Sequence, residues 1–252
     1  MNLENRKPGK NEFFDIKPLK DWGIIWFPIS MSNISTSQSV KKCIEWINFF
    51  GEKKVGEPKI GLNVSYTDFL YLNSDEKASK LKEKFMFQMV NHKNGFKKMI
   101  YKNRIKNQIL HAFHFESFGN LYLEIGGDFN DSFKKIKELY KKDKNFQKYL
   151  KEDSKFFKRK LTKNQSNFFL EEDLVTYLIL SMKVNFRNEY VQGREKWILF
   201  CYPGSPLKSQ VYLCQSNPFK FKLENPYYGG YNLLNKKFYD FKNLDLETWN
   251  YE

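Results

Sequence analysis

The sequence predicts an α/β protein, a parallel sheet flanked by helices, and three observations carry that prediction. Short runs rich in β-formers alternate with helical-period segments of ten or more residues, the pattern of strands joined by crossover helices. The 252 residues, 41% hydrophobic and 18% aromatic, can fill a core without disulfide or metal, so one domain is expected over 1–252. The longest strongly apolar run is seven residues, GIIWFPI at Gly23 to Ile29, against the roughly 20 that cross a bilayer.

That run opens the sheet as a strand buried on both faces. It runs into SMSNISTSQS, a hydroxyl-rich turn, and then VKKCIEWINFF, where Val40, Cys43, Ile44, Ile47 and Phe50 recur at helical spacing. Ser35, Thr36 or Ser37 is the expected N-cap and Gly51 the stop. Pro58-Lys59 introduces a second strand in IGLNVSYTDFLYL. Ser74 to Lys102 reads as a long helix with Leu81, Phe85, Met89, Phe96 and Ile100 inside, and Asn94-Gly95 as a bend or break. Ile109 to Phe115 reads as a strand, and Asp131 to Leu161 as one long or two shorter basic helices. Asn167 to Met182 is a further helix with Glu171-Glu172-Asp173 near its start, where acids suit the helix dipole. Lys196 to Tyr202 is the last clear strand. The tail over 217–252, rich in Pro, Gly, Asn and aromatics, is expected to wrap the body, and residues 1–20 form an extension.

Those first twenty residues mix both signs of charge and have no apolar h-region, so they do not read as a secretory signal, and a cytoplasmic location is expected. Cys43, Cys201 and Cys214 fit neither a disulfide framework nor a zinc site. They are expected to be reduced, with Cys43 and Cys201 inside.

The net charge of +14 is concentrated in two stretches. Residues 77–106 hold ten Lys or Arg against one acid and 133–163 hold thirteen against four, leaving the remainder net negative. Such local fields attract polyanions, nucleic acid above all. Charge alone leaves this reading beside the plainer one of lysine-solvated helices.

Ligands of open α/β sheets bind at the carboxyl ends of strands, and Ser30 stands at such an end. Its hydroxyl there is a candidate nucleophile, with N–H groups of the following turn to stabilise an oxyanion; Ser and Asn are also ordinary turn residues. No G-x-S-x-G, GxGxxG or Walker sequence is present.

FPISMSNISTSQSVKKCIEWINFF, FFLEED and ILFCYPGSP, in that order, resemble three markers of the tRNA-dependent cyclodipeptide synthases, over roughly Asp21 to Leu213. The resemblance implies a Rossmann-like domain similar to the catalytic domain of class I aminoacyl-tRNA synthetases. It also implies a cyclic dipeptide made from two aminoacyl-tRNAs by ping-pong transfer through a serine ester, without ATP, metal or other cofactor. It assigns Ser30 as nucleophile, and Glu172 to the aminoacyl α-amino group and its proton transfers. Tyr202 and Asn33 would hold the aminoacyl moiety, and Trp26, Pro28, Val175 and Phe200 would line its side-chain pocket. Phe168 stands where the family has Tyr, four residues before Glu172 on the same helical face, and a Phe relays no proton. His111 or His114 is a candidate substitute; three apart on a strand, at most one can enter a site, and a packed or surface histidine is the plainer reading of both. Tyr202-Pro203 resembles one sub-type of the family and Asn33 the other. Lys93, Lys97, Lys98, Lys102 and Arg104 are the expected tRNA contacts. A scaffold that binds RNA without catalysis, which Phe168 would favour, and an unrelated serine acyltransferase are the competing readings.

Overall fold

The computed structural model describes residues 23–30, 33–52, 60–66, 78–103, 110–117, 127–181 and 197–251. The extension over 1–20 lies outside them. Among the described residues six strands form one sheet: β1 (Gly23–Ile29), β2 (Ile60–Tyr66), β3 (Leu110–Ser117), β4 (Trp197–Tyr202), β5 (Gly229–Asn232) and β6 (Lys237–Asp240). Their order is β3-β2-β1-β4-β5-β6, parallel except for the antiparallel β5–β6 pair. Among the described residues the helices are α1 (Val40–Glu52), α2 (Ala78–Asn103), α3 (Gly127–Lys142), α4 (Lys144–Phe156), α5 (Lys163–Leu180) and α6 (Lys208–Ser216).

Strand alternation sorts the core into two layers. Ile24 and Trp26 of β1 join Ile198 and Phe200 of β4 in a cluster with α3 to α6. Ile25, Phe27 and Ile29 join Leu199 and Cys201 in a second, under α1 and α2. All three cysteines are free and buried. No helix among the described residues is long and apolar enough to cross a membrane.

The expected elements form, with corrections. Residues 33–38 are turns, and the carbonyl of Ser39 accepts the N–H of Cys43 at 2.9 Å, so α1 starts after Ser39 and not at Ser35–Ser37. It also runs one residue past Gly51. α2 continues through Asn94-Gly95 without a break, and a Cβ at Gly95 would meet Val40 of α1 at an ordinary contact distance of 3.4 Å. Met89, Phe96 and Ile100 are buried as expected; the side chains of Leu81 and Phe85 lie outside the described ones.

The basic helical stretch is two helices, because Asp143 adopts extended backbone and accepts the N–H groups of Asn145 and Phe146 at 2.9 and 3.0 Å. α5 begins four residues earlier than the pattern predicts, capped by Thr162. Glu171-Glu172-Asp173 therefore sits about two turns inside the helix, beyond the reach of its positive end. The tail contributes the β5–β6 hairpin, where Gly229 is required: a Cβ there would lie 2.0 Å from the carbonyl oxygen of Tyr239.

Candidate active site

The sheet reverses its winding between β1 and β4, neighbours that are distant in the chain, and that junction is where open α/β sheets bind ligands. Pairing of β1 with β4 ends at Trp26↔Phe200. Pro28, which has no N–H for a ladder, falls just beyond it. The strands part there around a cavity of about 220 Å³.

Trp26, Pro28 and Ser30 reach the cavity from alternate positions of β1 and its end, and Phe200 and Tyr202 from alternate positions of β4. The ring of Trp26 lies 4.9 Å from that of Phe200, and its indole N–H donates to the hydroxyl of Ser65 at 2.6 Å. α5 closes the opposite wall with Phe168, Phe169, Glu172 and Thr176. Val175 is not on that wall; it packs in the core behind it, with Trp26 and Phe200. Thr176 faces the cavity instead and accepts a hydrogen bond from the amide of Gln210 at 2.8 Å.

The Ser30 loop is held from two directions. Asn33 also lines the cavity, and its Nδ2 donates to the hydroxyl of Tyr202 at 3.1 Å. The carbonyl of Tyr202 accepts Gly204 N–H at 3.0 Å and Leu233 N–H at 2.9 Å, which fixes the end of β4. Behind Ser30, the fully buried Gln38 accepts its N–H at 2.7 Å and donates to the carbonyl of Pro28 at 2.7 Å. The carbonyl of Gln38 in turn accepts Nε2–H of His92 at 2.7 Å, while Nδ1 of His92 accepts the hydroxyl of Tyr66 at 2.8 Å. Burial lowers the pKa of His92, in keeping with this neutral tautomer. These bonds engage N–H groups that an oxyanion would need: that of Asn33 donates to Ser30 O at 3.0 Å, and residues 31 and 32 lie outside the described residues.

Burial raises the pKa of Glu172 to about 7, opposed by the nearby charge of Arg159 and assisted by Asp153. A carboxyl so placed can both take and give a proton near neutrality. Arg159 lines the cavity with its guanidinium 5.5 Å from the ring of Phe168 and 5.9 Å from that of Phe169. Asp173, one residue on, does not line the cavity; its side chain is buried, and burial together with the charge of Asp153 raises its pKa.

Of the nine residues expected here, eight therefore meet in one cavity, all but Val175. Sequence reasoning missed Arg159, one base among thirteen in its stretch, and Gln38, one polar residue among many in its loop. It also missed the β4–α6 connection, whose Gly204, Ser205, Pro206 and Leu207 line the cavity. The side chains of His111 and His114, on β3, and residue Arg104 lie outside what is described. Lys93 and Lys97 are half-buried on α2 and Lys98 and Lys102 exposed; α2 packs on the sheet face opposite the cavity wall. Among the described residues no group of His, Cys, Asp or Glu is arranged to hold a metal ion.

No protein-family model and no curated protein matches the sequence. Solved structures do match the fold. A cyclo(L-leucyl-L-phenylalanyl) synthase is 10% identical, with 91% of this chain and 93% of that one aligned at a TM-score of 0.53. A Mycobacterium tuberculosis cyclodipeptide synthetase, described as related to type I tRNA synthetases, is 12% identical over 80% and 82% of the chains at 0.52. A Staphylococcus haemolyticus cyclodipeptide synthase is 15% identical over 86% and 89% at 0.51. The fold is that of the cyclodipeptide synthases. Within it, the first and last of the sequence markers flank the parting strands, and FFLEED faces them from α5.

Proposed function

We propose that the protein is a cyclodipeptide synthase that condenses two aminoacyl-tRNAs through an ester on Ser30. The hydroxyl of Ser30 attacks the aminoacyl ester carbonyl of the first substrate; its proton passes to the departing 3′-terminal oxygen, and the tRNA leaves. The α-amino group of the bound residue then attacks the ester carbonyl of the second aminoacyl-tRNA. Glu172 takes the proton that the amine sheds and passes it to the departing ribose oxygen, and the second tRNA leaves a dipeptidyl ester. The free amino group of the dipeptide finally attacks the serine ester carbonyl, closing the ring and returning the hydroxyl.

Both substrates arrive activated as esters, so the protein need only position groups and stabilise charge. The observation that carries the reading is that Ser30, Glu172 and the Asn33–Tyr202 pair line one cavity at the switch point of a cyclodipeptide synthase fold. In this reading Tyr202 and Asn33 hold the aminoacyl moiety, Trp26, Pro28 and Phe200 wall its side chain, and the lysines of α2 contact tRNA. Incubation with a charged tRNA pool followed by mass spectrometry tests it. Wild type yields a cyclic dipeptide whose mass names the two amino acids, and Ser30→Ala yields none; product from Ser30→Ala at the wild-type rate refutes the nucleophile.

A further inference from the structure

Of the thirteen bases in residues 133–163, the cavity uses only Arg159. Several of the others converge on a separate feature. α3 sets Lys134, Lys137 and Lys141 along one face at i, i+3 and i+7, a track about 10 Å long. The first turns of α5 bring Lys163, Ser166 and Asn167 opposite them, and a cleft of about 390 Å³ lies between the two helices.

The acids facing the cleft do not cancel this charge. Glu138 lines it and bonds Lys141 at 2.7 Å, and Asp131 bonds Lys134 at 3.2 Å. Both are exposed pairs within one helix, of the kind that contributes little and yields readily to a phosphate. The Nζ of Lys137 sits over the ring of Phe133 at 4.6 Å, a cation–π contact within the same helix.

The two concavities share a wall. Phe168, Phe169 and Glu172 of α5 face the active-site cavity, while Ser166, Asn167 and Leu170 of the same turns face the cleft. The segment leading into α5 carries Lys158, Arg159, Lys160 and Lys163; of these Arg159 lines the cavity and Lys163 the cleft.

We infer that the α3–α5 cleft binds the sugar–phosphate backbone of the RNA whose 3′ end enters the active-site cavity. The inference rests on the proposed function for the identity of that RNA, and on the cleft itself for the contact. A concave track of spaced ammonium groups suits a strand of successive phosphates, where a flat anionic surface would not follow it. Lysines act as point charges without a fixed fork, so the contact positions the strand and does not read its sequence.

The test is fluorescence anisotropy with a labelled acceptor-stem minihelix over a range of salt, using Lys137→Glu/Lys163→Glu, with circular dichroism to verify folding. Lys151→Glu/Lys155→Glu, on α4 outside the cleft, makes the same change in net charge. The cleft variant loses at least tenfold in affinity and its log–log salt slope flattens by roughly 2, as expected for two lost phosphate contacts; the α4 variant changes little. Equal losses in both variants, or none in the cleft variant, overturn the inference. The two readings also fail separately. Cyclic dipeptide made by the cleft variant with unchanged KM removes the cleft and leaves the reaction. Selective loss of minihelix binding, in a protein whose wild type makes no cyclic dipeptide, leaves the cleft and removes the reaction.

Discussion

Gln38 grips the chain on both sides of Ile29, its Oε1 accepting the N–H of Ser30 and its Nε2 donating to the carbonyl of Pro28, each at 2.7 Å. One side chain thus supplies the backbone partners that β4 no longer provides once the strands part after Trp26↔Phe200. His92 anchors the carbonyl of Gln38 at 2.7 Å, so the position of Ser30 is tied through Gln38 to α2 and, by Tyr66, to β2.

Gln38→Leu keeps the volume and strips both bonds. Leaving two backbone groups without protein partners costs about 2–4 kcal/mol, read as a lower urea midpoint at unchanged m-value. Turnover falls in the same variant more than KM changes, because the Ser30 hydroxyl is displaced while the pocket walls stand. Wild-type stability in Gln38→Leu means the bonds are replaced locally and the grip is dispensable.

Glu172 gives the protein a pH signature. With its pKa raised from the usual 4.5 to about 7, the folded chain keeps a proton that the unfolded chain sheds from about 4.5 upward. Its contribution to stability is therefore greatest below about 4.5, declines as pH rises towards 7, and levels off above. Glu172→Gln flattens that part of a Tm-versus-pH curve. If the carboxylate is the base, turnover climbs with pH through about 7. Arg159→Met, which removes the charge favouring ionisation, moves the limb to higher pH; a limb that stays in place belongs to another group.

Asp153, on α4, caps a helix not its own. It accepts Lys208 N–H at 2.8 Å and Ser209 N–H at 2.9 Å at the start of α6, together with the hydroxyl of Tyr251. Asp153→Ala orphans two buried N–H groups and lowers stability by about 2–4 kcal/mol; Asp153→Asn, which keeps one acceptor, falls between. Chemical denaturation followed by tryptophan fluorescence orders the three proteins.

Phe168 borders the cavity one helical turn before Glu172, and its ring is partly exposed. Phe168→Tyr therefore adds a hydroxyl on the cavity wall that carries Glu172 without displacing that wall, and Tm stays within about 1 °C, as for other substitutions that leave packing intact. Turnover rises if proton relay limits the wild type. An unchanged kcat means that proton transfer through this position is not limiting.

Much of this was legible in the chain. A period of two on β1 and β4 puts Trp26, Pro28 and Ser30 on the same side as Phe200 and Tyr202 once the strands are parallel neighbours, and the spacing of four aligns Phe168 with Glu172 on α5. The misses have physical causes. α5 starts in KNQSN, which has no apolar residue to show a period. α6 buries Lys208, Ser209 and Gln210 through long-range bonds, so its polarity disguises it. Val175 packs behind the wall because α5 is enclosed on most sides, and a helix without an exposed face gives no signal for which residue meets a cavity. The acids at 171–173 read as a dipole device only while the start of the helix is placed too late.

The bond between Asn33 and Tyr202 spans 169 positions. A ribosome delivers Asn33 early and Tyr202 only after most of the polypeptide has emerged. A partly synthesised chain thus carries Ser30 and Asn33 without the β4 and α5 residues that wall the cavity. The chamber closes only once α5 and β4 have followed, an order of assembly set by connectivity alone.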